Sequence, residues 1–201
     1  MKKYTIITSL LILFVCSMNC MWAQTAKGTN ELKIGYGIAT TNDIINITSE
    51  AVIYTLTLGN STFLEKNSYG AVFISYKRAI ANNLLLGVAF TYQNSDGDVI
   101  TGRSKIGDFE EEYYTIALES DYHYISKDIF KMYSGLGIGY TIRNEDFRAT
   151  DANFSNESMN SNHFNFQITG IGVRVGKALS GYAEAGFGYR GVLNLGVSYQ
   201  F

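Results

Sequence analysis

Val192-Leu193-Asn194-Leu195-Gly196-Val197-Ser198-Tyr199-Gln200-Phe201 is the stretch that decides the fold. Leu193, Leu195, Val197, Tyr199 and Phe201 fall on one side of an extended chain, and Val192, Asn194, Gly196, Ser198 and Gln200 on the other. Strict period two is the signature of a strand with two unlike faces. Chain ends usually fray. Alternation kept up to Phe201 therefore leads us to expect a last strand that closes a sheet.

Working back from there, the same two-faced pattern recurs over 31–39, 69–79, 83–94, 111–125, 130–143, 163–177 and 181–189, giving eight strands. In 111–125, for example, Tyr114, Ile116, Leu118, Tyr122 and Tyr124 oppose Thr115, Ala117, Glu119, Asp121 and His123. In 69–79 we place Val72, Ile74 and Tyr76 outward and Ser75 and Lys77 inward. The run 163–177 changes phase: Phe164, Phe166 and Ile168 are even, whereas Ile171, Val173 and Val175 are odd. One extra residue near Thr169-Gly170 restores the facing, which is what a β-bulge does.

The connections alternate in length. Brief turns surround Ile80-Ala81-Asn82, Ser126-Lys127-Asp128 and Ala178-Leu179-Ser180, whereas long polar loops occupy 40–68, 95–110 and 144–162. Arg190-Gly191 is a short link on the long-loop side. An antiparallel up-and-down order gathers the long loops at one rim and the tight turns at the other, as in transmembrane barrels. Residues 44–58 are too apolar for a simple solvated loop. They form either an amphipathic rim helix opened by Ser49 and Glu50 or another hairpin, which would make ten strands.

Lys2 and Lys3 precede an apolar run over 5–16, and Ala23 offers a small residue for cleavage. That is the pattern of a secretory signal peptide over 1–23, leaving 24–201 as the barrel. The rival is a lipoprotein cut before Cys16 or Cys20, but Phe14-Val15 and Met18-Asn19 are poor small-residue approaches. Both cysteines lie inside the signal, so disulfides, thiol catalysis and cysteine-based zinc sites are not expected in the mature chain. Loss of Lys2 and Lys3 takes the formal charge from −2 to −4, a poor balance for nucleic acid. No later segment offers about 18 consecutive apolar residues.

Alternation alone does not separate a membrane barrel from a soluble, lipocalin-like one, which would carry the same pattern inside out. Three features favour lipid. The polar face is mostly Gly, Ala, Ser, Thr and Asn, suited to a narrow interior rather than a solvated surface. Aromatic residues bracket the apolar ones: ten steps from Tyr114 to Tyr124, at ~3.3 Å each and tilted by roughly 40°, project to about 25 Å, the height of an apolar band. Tyr92, Tyr140, Phe164 and Tyr189 fall near the long-loop rim, and Tyr76, Tyr122 and Tyr199 near the other, as two interfacial belts would. Finally, the chain contains no proline, as suits strands whose backbone groups must all pair in lipid.

With these runs in view, the chain resembles the small eight-stranded outer-membrane barrels of the OmpA/OmpX-like, porin-like group. The resemblance covers the whole of 24–201. Its most specific motif is Leu193-x-Leu195-x-Val197-x-Tyr199-x-Phe201, similar to the C-terminal signal read by the outer-membrane barrel assembly machinery. It implies termini in the periplasm, loops facing outward, and a place in the outer membrane of a Gram-negative-type bacterium among its lipids; the peptidoglycan-binding domain that some relatives carry is not expected, since nothing follows Phe201 to form it.

The inward set includes Lys33, Lys77, Glu119, Asp121, His123, Lys131, Arg174 and Glu184, with Arg143 and Lys177 nearer the rims. Buried charges must be paired, and an eight-stranded interior is only wide enough for its own side chains. A polar network filling the lumen is therefore expected, and the function read from it is structural or interactive. A narrow channel for ions or small solutes is the alternative. A lipid-modifying enzyme is a third reading, since Glu157, Ser161 and His163 supply acid, nucleophile and base types near the outer rim. These neighbours come from a Ser/Asn-rich stretch with no orienting context, and no catalytic residue, cofactor or metal ligand is assigned. The loop 144–162, acidic with two Phe, is a candidate surface for an external ligand.

Overall fold

A computed structural model describes residues 25–43, 62–101, 104–150 and 155–201. The expected signal over 1–23 lies outside them. Among the described residues the elements are β1 (Asn30–Ile38), β2 (Thr62–Ala81), β3 (Leu84–Thr101), β4 (Ser104–Ser126), β5 (Phe130–Ala149), β6 (Glu157–Gly176), β7 (Leu179–Gly188) and β8 (Leu193–Gln200). Each pairs antiparallel with its neighbours in sequence. The ring closes where β1 meets β8, with Ile34 opposite Val197 and Ile38 opposite Leu193. Because β1 also pairs directly with β2, the ring has no place for the two extra strands of the ten-strand alternative. Residues 44–58, on which that alternative and the Ser49 helix rested, lie outside the described residues.

The facing is apolar outward. Ile34, Tyr36 and Ile38 are exposed on β1 while Glu31 and Lys33 are buried. On β4 Ile116 and Leu118 are exposed while Thr115, Ala117 and Glu119 are buried. Val72, Ile74 and Tyr76 point out, and Ser75 and Lys77 in, as expected. The phase change in β6 is a bulge: pairing with β7 slips between Thr169 and Ile171. On the other side the Ser134 hydroxyl donates to the Gly170 carbonyl at 2.7 Å. Ile168 and Ile171 thereby both reach the exterior. A second irregularity, between Ser68 and Ala71, turns on Gly70 at φ +73°, where an added Cβ would run into the Gly37 carbonyl.

The described residues of the expected loops at 95–110 and 144–162 are largely strand. β3 and β4 stay paired through Asn94–Glu112, Asp96–Glu110 and Asp98–Asp108. β5 and β6 stay paired through Asn144–Asn160 and Asp146–Ser158. In their described residues the expected loops at 95–110 and 144–162 are therefore corrected to hairpin arms, and 62–68 belongs to β2. Composition signalled contact with water, which a paired ladder rising from the ring has equally. β2 to β6 run to between 18 and 23 residues, against 9, 10 and 8 for β1, β7 and β8. The result is a closed ring from which five strands rise as a wall.

Two aromatic belts border the apolar exterior. Near the tight turns are Tyr76, Tyr122 and Tyr124, with Tyr199 stacked on Phe201 at 5.5 Å. Near the wall, Tyr92 meets Tyr114 at 5.2 Å and Tyr140 meets Phe164 edge-on at 5.5 Å. Tyr189 is a correction: it is 1% exposed and lies inside the barrel, not in the belt. β7 ends at Gly188, whose φ of +149° swings the chain inward and breaks the alternation. Among the described residues no helix is long and apolar enough to cross a membrane, which says nothing of crossing by strands.

Candidate functional site: the barrel interior and its two mouths

Alternation aims odd and even residues of every strand to opposite faces, so eight short inward rows converge on one axis. Lys33 of β1 sits between Asp121 of β4 (3.0 Å), Glu184 of β7 (3.3 Å) and Glu31 (3.2 Å). Lys77 of β2 meets the same Asp121 oxygen at 2.7 Å and Glu119 at 2.8 Å. Arg190, from the β7–β8 turn, bridges Glu119 at 3.3 Å and Glu184 at 3.2 Å, and Arg174 of β6 approaches Glu31 at 3.5 Å. Four cations thus face four carboxylates, all at most 2% exposed. The Coulombic balance matters because an unpaired ion in this setting costs several kcal/mol.

Tyrosines pack among these ions. Tyr133 and Tyr189 donate to Glu184 at 2.8 Å and Glu119 at 2.6 Å, and the Lys33 ammonium lies 4.1 Å above the Tyr133 ring. Glycine on the facing strand makes room for each: a Cβ on Gly172 would overlap the Tyr133 ring, one on Gly35 the Tyr182 hydroxyl, and one on Gly137 would sit 2.6 Å from the Tyr189 hydroxyl. Gly35, Gly137 and Gly172 are therefore packing partners of these tyrosines.

Each mouth carries its own polar cluster. At the tight-turn end the Thr25 hydroxyl bonds His123 Nδ1 at 3.0 Å and the Ser126 hydroxyl at 2.7 Å. Thr25 and Asn83 exchange hydrogen bonds of 2.9 and 3.0 Å, pinning the chain before β1 across the opening. Lys131, half-buried, donates to Gln200 at 2.5 Å, and Gln200 in turn donates to Glu31. At the wall end the chain leaving β1 turns inward at Thr40. Thr40 and Asp43 form a reciprocal cap, with the Thr40 N–H donating to Asp43 at 2.9 Å and the Asp43 N–H to the Thr40 hydroxyl at 3.3 Å. The capped turn is buried. Thr40 and Asn42 donate to Gln93 of β3 at 2.9 and 3.0 Å, and Thr41 donates to Asn165 of β6 at 3.2 Å. Thr40–Asn42 therefore spans the mouth from β3 to β6. Above it Arg143 pairs with Glu111 and, at 2.8 Å, with Glu145.

All eight inward candidates, Lys33, Lys77, Glu119, Asp121, His123, Lys131, Arg174 and Glu184, are inside the ring, and the first four with Glu184 form one connected cluster. His123 stands apart at the tight-turn mouth. Lys177 is 75% exposed at a turn, beside Asp128 at 3.9 Å. Sequence reasoning missed Glu31, which shares the phase of Lys33 and was recoverable by extending it one step. It also missed Arg190, Thr25 and Thr40–Asn42, which lie outside strands and so carry no periodic signal. Glu157, Ser161 and His163 share one strand. At ~3.3 Å per residue Glu157 lies roughly 20 Å from His163, beyond the hydrogen-bond reach that a triad requires. Among the described residues no three His, Cys, Asp or Glu side chains are placed to hold a metal ion. Leu193, Leu195, Val197, Tyr199 and Phe201 line the outer face of β8.

No protein-family model matches the sequence, and no curated protein matches it. Among solved structures, Ail, the attachment invasion locus protein of Yersinia pestis, in complex with the heparin analogue sucrose octasulfate, is similar at 13% identity. That match covers 87% of this chain and 99% of Ail, with a TM-score of 0.48. The outer membrane protein OprG from Pseudomonas aeruginosa is similar at 13% identity over 88% of this chain and 97% of its own, also at 0.48. Similarity at this level speaks to neither ligand nor activity.

Proposed function

We propose that the chain is an outer-membrane barrel protein of structural or interactive role, with a side-chain-filled interior that does not conduct solutes. The observation that carries this reading is the combination of an apolar exterior with a charge-balanced interior. Exposed Leu118, Leu136, Ile138 and Leu195, each more than 60% accessible, would be costly in water and are at home in hydrocarbon. Inside, the paired ions, the tyrosines seated on glycines, Thr25 and Thr40–Asn42 occupy the axis from one mouth to the other. In this reading residues 1–23 are a cleaved export signal, and Leu193, Leu195, Val197, Tyr199 and Phe201 are the strand that the assembly machinery reads.

The wall then stands on the outer side of the membrane as the surface for an external ligand. Its outward rungs are rich in carboxylates, with Asp96 opposite Glu110 and Asp98 opposite Asp108, while Arg148 and Lys105 lie among them as cations. This charge favours a cationic or neutral ligand over a polyanion. The test is planar-bilayer conductance of protein refolded from Gln24 onward. A silent bilayer, together with heat-dependent gel migration of the folded barrel, is the expected result. Steady unitary openings would establish the narrow channel instead. Lipid A mass analysis with and without the protein tests the enzymatic alternative, for which no change is expected.

A further inference from the structure

On the apolar exterior, three small residues on adjacent strands interrupt the bulky ones: Ser120 of β4, Ser134 of β5 and Gly170 at the β6 bulge. They floor a groove of about 380 Å³ whose sides are raised by Tyr122, Leu136 and Ile168. Packing does not demand the gap at Gly170. An added Cβ there would meet only the Ala185 carbonyl, at 3.6 Å, and its φ is not left-handed. This differs from Gly35, Gly137 and Gly172 inside the ring, where a Cβ collides with a tyrosine. The serine hydroxyls are already committed to backbone carbonyls, Ser134 to Gly170 at 2.7 Å and Ser120 to Leu136 at 3.5 Å. The groove therefore offers hydrocarbon walls and no free polar group.

We infer that this groove holds one acyl chain of a phospholipid in the leaflet on the tight-turn side. The inference rests on the lipid-facing reading of the exterior. Nine residues line the groove, whereas a stable protein–protein contact engages about 20–30 residues a side, so its size suits a single slender chain and not a second barrel. Its depth follows from Tyr122, which belongs to the tight-turn belt and marks that interface. A chain lying between Tyr122 and Leu136 fills the gap left by Ser120, Ser134 and Gly170.

Tryptophan quenching tests this directly, because the one tryptophan, Trp22, precedes Gln24 and is absent from protein made from that residue onward. Tyr122→Trp places a reporter at the groove, and Tyr199→Trp places one in the same belt on β8. In bilayers of phosphatidylcholine with dibrominated acyl chains, the groove reporter is expected to be quenched more strongly than the β8 reporter. The excess is lost when Ser120→Leu, or separately Gly170→Leu, fills the groove. Equal quenching at the two sites before filling overturns the inference. Weaker, protein-concentration-dependent quenching at Tyr122→Trp also overturns it, by placing a second copy there. Absence of quenching at both sites overturns the lipid-facing reading and the groove with it.

Discussion

The strands β2 to β6 belong both to the closed eight-stranded ring and to the wall, yet in the two regions they solve opposite problems. In the ring each strand has one face of Leu, Ile, Val and Tyr and one face of glycine and charge, and the charge is enclosed: Lys33, Asp121 and Lys77 are each about 1% exposed. In the wall the ladder continues past register shifts at Ser68/Ala71 and Val99/Ile100, and apart from the buried Val99 and Phe109 its faces turn polar, as in Asn94-Ser95-Asp96 against Glu110 to Glu112. Lys105 meets Asp98 at 3.0 Å and Asp108 at 2.5 Å there with more than 40% of each side chain open to water. Backbone pairing is thus indifferent to the solvent, and the side chains alone decide where the membrane stops. An ion pair of similar length is a structural commitment in one half and a minor surface contact in the other.

That contrast breaks most visibly in the interior. Asp121→Leu leaves Lys33 and Lys77 without their shared partner and is expected to destabilise the barrel by about 3–5 kcal/mol, read from the urea midpoint in detergent micelles. A smaller loss follows for Leu118→Arg on the exterior, about 2–4 kcal/mol as for a cation near the bilayer midplane, measured by unfolding from liposomes. If the exterior faced water instead, this substitution would be nearly neutral. In the wall, Glu110→Gln removes a partner of Arg148 that sits 3.6 Å away on an open surface and is expected to change stability by no more than about 0.5 kcal/mol.

The smallest effect is a pH dependence at the β3–β4 hairpin. The hydrogen bond from Lys105 holds the Asp108 carboxyl below its usual range. A carboxylate with a depressed folded pKa contributes above its unfolded value and ceases to contribute as pH falls through the folded one. Amide protection factors, corrected for the intrinsic pH dependence of exchange, are therefore expected to fall in the hairpin arms on acidification below the ordinary aspartate range while those of the ring stay high. Lys105→Met should remove that pH dependence.

How much of this was legible in the residues follows the same division. The alternation of 111–125 and 192–201 disclosed the two-faced strands and their facing, and the phase change between Ile168 and Ile171 disclosed the bulge at Gly170. The interior charges were readable because period two assigns a face to every strand residue. Arg190 and Tyr189 were not, since the positive φ at Gly188 ends the period and sends both inward. Thr40–Asn42 was hidden for a related reason: a capped turn entering a barrel mouth has the composition of a solvated loop. The wall was read as loop because polarity reports on solvent and carries no information about hydrogen-bonded neighbours.

The central claim, apolar residues toward lipid and paired charges within, is tested most directly by nitroxide labels in the reconstituted protein. Labels at Leu118, Leu136 and Leu195 should collide freely with dissolved oxygen and be shielded from a water-soluble nickel chelate. Labels at Asp96 and Glu110 should show the reverse. Free access of the nickel chelate to Leu118 and Leu136 in the folded protein would contradict the account, because it would place the ring's apolar exterior in water.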